Sequence, residues 1–453
     1  MGQRQDNQAA RAASATAQAR TNTYWQQTIQ NRMLVVVLAM VVAIPLLASP
    51  SNMQMQDIAG KALQLMAALL AGILVLRARV AANRAEVLAF LSTGPNAAVL
   101  LYLVASALSV VFGPRDPALR RLGLAELQRI LAGTLLYFAL AYHVRRSEHL
   151  VKMRDALTLV TALMAGLGLL FLALQGARVH VALFGNPQLF SAFLMILFPV
   201  PLIQALTEKD ARRQQRALLI SIFTGGCLMF TGTPTAWLGV LASLLTLVGV
   251  GRLGLPKREE SAQKRRRYLL PLLIVLVAGG AFVALSRTSG FGPNGEAQEQ
   301  TLAYHRRMWY AAEQLFLRKP LLGSGLGTFP VLQHPYSHNG REGEAVKRSR
   351  PTLAEMAHNL WLQTAAEQGI IGVGLFLAII VGFLMAGIRR LRFMERGIRR
   401  FLLLACVAGI VGFAIDALGN PAWQFAQVSM FFWLILGLGM ACLRPRSPRA
   451  DTG

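Results

Sequence analysis

The chain has 453 residues, of which 54% are hydrophobic and only 15% are charged. This composition excludes a single soluble domain and a disordered chain, and it is typical of a polytopic membrane protein. The 46 Lys and Arg residues far outnumber the 21 Asp and Glu residues. In a soluble protein that excess would favour nucleic-acid binding, but basic cytoplasmic loops explain it in a membrane protein. We therefore expect membrane lipids, and no nucleic acid, among the partners.

The apolar runs predict an all-α fold with about twelve transmembrane helices. Residues 1–32 are polar and are expected to form a disordered cytoplasmic tail, because no apolar stretch precedes residue 33. The later apolar runs have about the length that crosses a bilayer core. A tight TGTP turn at 231–234 joins the seventh and eighth runs, so an alternative is that these two form a re-entrant pair. The twelve predicted spans are 33–49, 62–76, 95–112, 125–143, 156–174, 188–206, 217–232, 235–250, 268–286, 360–388, 402–418 and 427–443.

The distribution of basic residues predicts the orientation. With the N-terminus inside, the segments assigned to the cytoplasm contain 31 of the 46 Lys and Arg residues. Residues 33–286 then form spans one to nine, residues 360–443 form spans ten to twelve, and residues 444–453 form a cytoplasmic tail. Both termini are therefore expected in the cytoplasm.

One connection, residues 287–359, is far longer than ordinary loops and is predicted to lie outside as a functional loop. It contains TLAYHRRMWYAAEQLFLRKP, whose apolar residues recur at helical spacing and predict an amphipathic helix at the membrane surface. The Gly-rich stretch PLLGSGLGTFP follows. The helical set is Leu302, Met308, Trp309, Ala312, Leu315 and Phe316.

Nine basic residues lie in this loop, on the side of the membrane where the positive-inside rule disfavours them. Two interpretations are open: a solvated face that meets lipid headgroups, or a phosphate clamp, since the Arg fork of donors matches phosphate oxygens. The nine are Arg287, Arg306, Arg307, Arg318, Lys319, Arg341, Lys347, Arg348 and Arg350.

The stretch PTLAEMAHNLWLQTAAEQG predicts the start of a long helix. Thr352 and Glu355 have the spacing of a capping box, and Pro351 precedes them. A helix from residue 353 to about 388 would be roughly 54 Å long, so its first turns would project beyond a bilayer core of about 30 Å.

His358 falls in that projecting part, beside a polar stripe of Asn359, Gln363 and Glu367. It is either a boundary residue at the lipid interface or a general base, because an imidazole titrates near neutral pH. His338 is the main rival, and His305 and His334 are further candidates. The histidines lack the spacing of a metal site, so a metal-independent mechanism without a cofactor is expected.

These residues resemble the bacterial O-antigen ligase and polymerase superfamily. The resemblance rests on RRMW…KPLLGSGLGTF and on a signature matched by His358, Asn359, Leu362, Glu367, Gly369 and Gly372. An Asn-Pro pair at the outer start of a span is matched by Asn186 and Pro187. The motifs lie between about residues 180 and 440.

The resemblance implies a glycosyltransferase that takes its glycan from a polyprenyl-pyrophosphate carrier. It maps an essential histidine onto His358 and pyrophosphate-binding arginines onto Arg306 or Arg307. Many members carry Ser-Arg where this chain has TGTP, with Pro234 at the arginine position. Arg178 or Arg287 is therefore a candidate replacement.

Our hypothesis is an O-antigen ligase of the bacterial inner membrane that joins O-polysaccharide from undecaprenyl pyrophosphate to lipid A-core, with inversion, on the periplasmic side. His358 is the first candidate for the base and His338 the second, while Asn359, Gln363 and Glu367 orient groups or bind sugar. An O-antigen polymerase and a protein O-oligosaccharyltransferase are alternatives within the superfamily. A membrane transporter is the alternative of another class.

Overall fold

The protein is described by a computed structural model over residues 31–45 except 33 and 44, 84–175 except 145, 184–251 except 185, 295–337 and 355–444. All regular secondary structure in these ranges is helical, which confirms the all-α class. Several sequence predictions lie outside the described residues. These are most of both tails, the spans 62–76 and 268–286, the capping residue Thr352, and the site candidates Arg178, Arg287 and His338.

Within these ranges the helices are numbered in chain order. The first half contains α1 (Leu34–Ala43), α2 (Arg84–Leu91), α3 (Gly94–Val111), α4 (Pro117–His143), α5 (Ser147–Gln175), α6 (Pro187–Leu197), α7 (Pro199–Thr207), α8 (Ala211–Phe230) and α9 (Pro234–Gly251). The second half contains α10 (Gly295–Arg318), α11 (Phe329–Leu332), α12 (His334–Ser337), α13 (Leu360–Leu391), α14 (Ile398–Asp416), a 3-10 turn (Ala422–Gln424) and α15 (Ala426–Leu443).

Eight helical stretches in the described ranges are long and apolar enough to cross a membrane. Each coincides with a predicted span. The predicted span 217–232 lies in α8, which begins with three arginines and is not among the eight. The total of twelve transmembrane helices therefore stays a prediction. The eight are Gly94–Val111, Pro117–His143, Ser147–Phe171, Pro187–Thr207, Pro234–Gly251, Leu360–Leu391, Ile398–Asp416 and Ala426–Leu443.

Large apolar side chains point outward along several of these helices. On α3 the exposed residues Leu101, Val104 and Leu108 recur at helical spacing, and on α9 Leu238 and Leu245 do the same. Apolar stripes of this kind would be costly in water and are expected in lipid. In the interior, α15 and the 3-10 turn pack aromatic rings together, including Trp423, Phe432 and Trp433.

The bundle has two chemically different ends. At one end, which we call the site end, the N–H of Leu360 donates to the carbonyl of Ala417 at 3.0 Å, and Asn420 Nδ2 donates to the carbonyl of Gln188 at 3.1 Å. At the opposite end, the basic end, buried guanidinium groups bind backbone carbonyls at helix termini. Arg399 donates to Ala441, and Arg400 donates to Leu391, Met394 and Gly251.

Candidate functional site

The signature histidine lies in a turn and not in a helix. No α-helix covers residues 355–359, and α13 begins at Leu360 with Asn359 as its N-cap. The Asn359 Oδ1 atom accepts a hydrogen bond from the N–H of Leu362 at 3.1 Å. The prediction of a helix starting at residue 353 is therefore wrong, because this asparagine caps the helix later than the capping-box spacing suggested.

His358 has a left-handed backbone, with φ of 51°, and it is the one non-glycine residue with positive φ within the described ranges. This conformation is uncommon for residues with a Cβ atom and persists only when surrounding contacts hold it. Gln363 supplies such contacts. Its Oε1 accepts from the N–H of Ala357 at 3.1 Å, and its Nε2 donates to Met356 Sδ at 3.2 Å.

The imidazole of His358 is only 6% exposed and packs against aromatic rings of α10. His305 stacks on it with ring centroids 4.3 Å apart and an interplanar angle of 24°. Tyr304 meets its edge, with centroids 5.9 Å apart. Neither nitrogen of His358 has a hydrogen-bond partner among the described residues. A buried imidazole with both nitrogens free to engage an incoming group is suited to proton transfer.

Burial sets the protonation of this ring pair. Burial, with a smaller contribution from neighbouring His305, lowers the pKa of His358 to about 4. Burial also lowers the pKa of His305. For Tyr304, burial and the Glu355 carboxylate raise the pKa, while Arg307 opposes them. At neutral pH both imidazoles are therefore uncharged, and a neutral imidazole is the form that accepts a proton.

The Gly-rich segment after α10, residues 320–330, inserts into the hydrogen-bond ladder of α13. At Gly369 (φ 65°, ψ −166°) the helix is interrupted, which frees two carbonyls before the break and two N–H groups after it. Those carbonyls, of Ala366 and Glu367, accept from Ser324 and Gly325 at 2.8 and 3.0 Å. The N–H groups of Ile370 and Ile371 donate to Pro320 and Leu321 at 2.8 and 3.4 Å. The interrupted helix therefore leaves none of these four groups unpaired.

The side chain of Glu367 completes this junction and is only 1% exposed. Its Oε2 accepts from the N–H of Gly327 at 2.9 Å, and its Oε1 accepts from Phe329 N–H at 3.3 Å and from Gln363 Nε2 at 3.2 Å. A Cβ atom at Gly323 would lie 2.2 Å from the carbonyl carbon of Glu367, so only glycine fits there. Gln363 and Glu367 thus connect the His358 turn to the Gly-rich segment.

The helix predicted in the long connection is present as α10, and its buried face is taken up by protein. A second small core joins it to α11, to the His358 turn and to α13. The residues are Ala311, Ala312, Leu315, Phe329, Ala357 and Ala366. Of the predicted apolar set, Met308, Ala312 and Leu315 are buried, whereas Leu302 is exposed. This packing places His305 against His358.

Two of the four arginines predicted to bind pyrophosphate lie within the described ranges. Arg306 and Arg307 are exposed on α10, next to His305 in the chain. Arg307 is close enough to lower the pKa of Tyr304, whose ring meets the edge of His358, but the structure shows no contact of either arginine with the imidazole. Asn186 is described and caps α6, since its Oδ1 accepts from Gln188 N–H at 2.7 Å with Pro187 in the first turn.

A charged pair inside the bundle was missed at the sequence level. Arg129 of α4 is ion-paired with Glu126, donates to the carbonyl of Trp423 at 2.6 Å and lies 5.0 Å above the Trp423 ring. A Cβ atom at Gly327 would lie 3.3 Å from Glu126 Cβ, so the pair adjoins the Gly-rich segment. The spacing of opposite charges three residues apart on one helix face was the available signal.

No group of three or more His, Cys, Asp or Glu side chains in the described ranges has a metal-binding arrangement. The chemistry available here is a neutral buried imidazole, a second imidazole stacked on it and exposed guanidinium groups nearby. Such a set accepts a proton and binds anionic oxygens.

Part of the chain matches a known protein family. Residues 219–377 match the family model described as O-antigen ligase, and this range includes α9, α10, the Gly-rich segment and the His358 turn. It confirms the resemblance to the O-antigen ligase and polymerase superfamily for this part of the chain. Members of the matched family are glycosyltransferase-like enzymes. No curated protein matches the chain.

Proposed function

We propose that the protein is an O-antigen ligase that transfers O-polysaccharide from undecaprenyl pyrophosphate to a sugar of lipid A-core. The observation that carries this proposal is His358. It is a buried, neutral imidazole with both nitrogens unpaired among the described residues, and it lies within the region that matches the O-antigen ligase family. Its left-handed backbone is held by a dedicated set of contacts, as expected for a functional residue.

The reaction needs a base and a means of holding an anion. The anomeric carbon of the donor already carries pyrophosphate, which is a good leaving group. His358 takes the proton of an acceptor hydroxyl, whose oxygen forms a bond to the anomeric carbon. The bond between that carbon and the pyrophosphate oxygen breaks, and its electron pair leaves with the pyrophosphate. Attack from the opposite face inverts the anomeric configuration.

Arg306 and Arg307 are the proposed pyrophosphate clamp. Both are exposed on α10, one and two residues after the histidine that stacks on His358. Guanidinium groups bind phosphate oxygens through paired hydrogen bonds. Arg287 and Arg178 remain further candidates outside the described residues. The mechanism requires no metal ion, and His338 remains the alternative base.

The orienting residues have specific proposed tasks. Asn359 sets the first turn of α13 and Gln363 holds the backbone beside His358. Glu367 ties the same helix to the Gly-rich segment. Through these contacts the three residues orient the base relative to α10.

The proposed location is the inner membrane, with His358 on the periplasmic side and both termini in the cytoplasm. The distribution of charge supports it. His358 precedes α13 at the site end, whereas Arg389, Arg390, Arg399 and Arg400 follow or adjoin the other end of that helix. Basic residues concentrate on the cytoplasmic side of membrane proteins.

Reconstituted transfer tests the function directly. Purified full-length protein in lipid vesicles receives lipid-linked O-antigen together with either lipid A-core or a second lipid-linked glycan as acceptor. We expect transfer to lipid A-core only. Transfer only to the second lipid-linked glycan would identify a polymerase, and transfer only to an added acceptor protein would identify a protein O-oligosaccharyltransferase. Movement of the glycan lipid across the vesicle membrane without any transfer would identify a transporter.

A further inference from the structure

His305 is the accessible member of the stacked imidazole pair. It is partly exposed, whereas His358 is almost fully buried. His305 also lies on the same helix as the exposed Arg306 and Arg307. His305 is therefore the ring of the pair that an anionic ligand can reach from solvent, and Arg306 and Arg307 supply positive charge on the same helix.

The stack limits the charge that the two rings hold. Their centroids are 4.3 Å apart, and two imidazolium ions at this distance would repel each other strongly in a partly buried setting. The pair therefore accommodates one proton readily and two poorly. The titratable and charged groups on the elements around the pair are Tyr304, Arg306 and Arg307 on α10, Glu355 in the turn, His334 on α12 and Glu367 on α13.

We propose that His305 is a binding residue for the pyrophosphate of the lipid-linked donor, and that it takes up one proton from solvent when this anion binds. The proposal deepens the proposed function, on which the identity of the ligand rests. The pyrophosphate supplies the negative charge that favours the imidazolium form, and burial keeps the proton off His358. His358 thus stays neutral and able to act as the base.

The same pair balances the protons of the transfer step. As His358 takes the proton of the acceptor hydroxyl, the proton on His305 passes to the leaving pyrophosphate oxygen. The acceptor oxygen is then joined to the anomeric carbon, and the pyrophosphate departs with the electron pair of the broken bond. The two rings hold one proton before and after the step, so the repulsive doubly charged state is avoided.

The test is calorimetric binding of farnesyl pyrophosphate to the full chain in nanodiscs at pH 6.5. Titrations in two buffers of different protonation enthalpy give the number of protons taken up. We expect the wild type to take up more protons than His305→Gln and to bind about tenfold more tightly, as for loss of a charge-assisted hydrogen bond. His305→Lys, which carries a fixed charge, should restore affinity without restoring proton uptake. His149→Gln, which changes a histidine at the start of α5 outside the site, is the matched control and should behave like the wild type.

Equal affinity and equal proton uptake in the wild type and His305→Gln would overturn the proposal, as would failure of His305→Lys to restore binding in a variant with unchanged unfolding temperature. The test separates this inference from the proposed function. Binding that depends on His305 without any glycan transfer would refute the ligase function alone. Transfer to lipid A-core at the wild-type rate by His305→Gln would refute the role of His305 alone.

Discussion

The backbone N–H of Ile370 donates to the carbonyl oxygen of Pro320, 2.8 Å away. In an unbroken helix this N–H would bind the carbonyl of Ala366, which instead accepts from Ser324. The Gly-rich segment is therefore part of the hydrogen-bond ladder of α13. Because this segment directly follows α10, the exchange fixes the helix that carries His305 relative to the turn that carries His358.

Gly369→Ala should disrupt this exchange. Its backbone (φ 65°, ψ −166°) lies in a region available essentially to glycine, and an added Cβ atom would lie 2.3 Å from the Leu321 carbonyl oxygen. We expect a loss of at least about 2 kcal/mol in the free energy of unfolding, measured by denaturant titration in detergent. Gly374→Ala, on the same helix with nothing within 4 Å of its added Cβ, should be neutral or stabilising. Equal stability of the two variants would show that the interruption of the helix is not structurally required.

Glu367→Gln should weaken the same junction more mildly. The amide retains one acceptor but presents N–H donors where the carboxylate receives the N–H groups of Gly327 and Phe329. We expect a loss of about 1–3 kcal/mol in the free energy of unfolding because a buried polar group is left unsatisfied. Glu313→Gln changes the same residue type at an exposed position of α10 and should have little effect. If both variants unfold at the wild-type temperature, Glu367 does not anchor the Gly-rich segment.

Much of the architecture was predictable because it depends on patterns local in the chain. Eight predicted spans coincide with helices long and apolar enough to cross a membrane, and helical spacing from Met308 to Leu315 predicted α10. The start of α13 was mispredicted because Thr352 with Glu355 and Asn359 both offer capping chemistry, and only tertiary contacts decide between them. The bond of Leu360 N–H to Ala417 is such a contact.

Acidification should destabilise the protein through His358. Burial lowers its pKa from an ordinary value of 6.5 to about 4, so the unfolded chain binds more protons between these values. The contribution of neutral His358 to the free energy of unfolding is complete above about pH 6.5 and is lost as the pH falls towards 4. Between pH 7 and pH 5 the free energy of unfolding of the wild type should fall by about 1–2 kcal/mol more than that of His358→Asn. Asparagine is the suitable replacement because it does not titrate in this range and tolerates a left-handed backbone. Parallel stability curves for the two proteins from pH 7 to pH 5 would contradict the buried neutral state.

The exposed arginines should affect donor binding and not folding. Arg306→Gln and Arg307→Gln should each raise the KM for lipid-linked donor by about tenfold, since each removes a charge-assisted contact to phosphate. Their unfolding temperatures should match the wild type because both side chains are exposed. Lys319→Gln removes an exposed positive charge just after α10 and serves as the control. A KM unchanged in both arginine variants would remove them from the clamp.

The site was predicted less completely than the fold because its contacts join distant parts of the chain. The signature suggested His358 and the stripe of Gln363 and Glu367, which do contact each other. No spacing in the sequence relates His305 to His358. Their stack depends on α10 docking through small residues such as Ala311 and Ala312, and on the Gly-rich segment that follows it.

The most direct measurement is the transfer rate of His358→Asn, with lipid-linked O-antigen as donor and lipid A-core as acceptor. Asparagine tolerates the left-handed backbone and removes the base, so the variant should fold while kcat falls by about 100-fold or more. His338→Asn, assayed in parallel, should retain most activity. A folded His358→Asn protein that transfers glycan at the wild-type rate, especially beside an inactive His338→Asn, would contradict the assignment of His358 as the base.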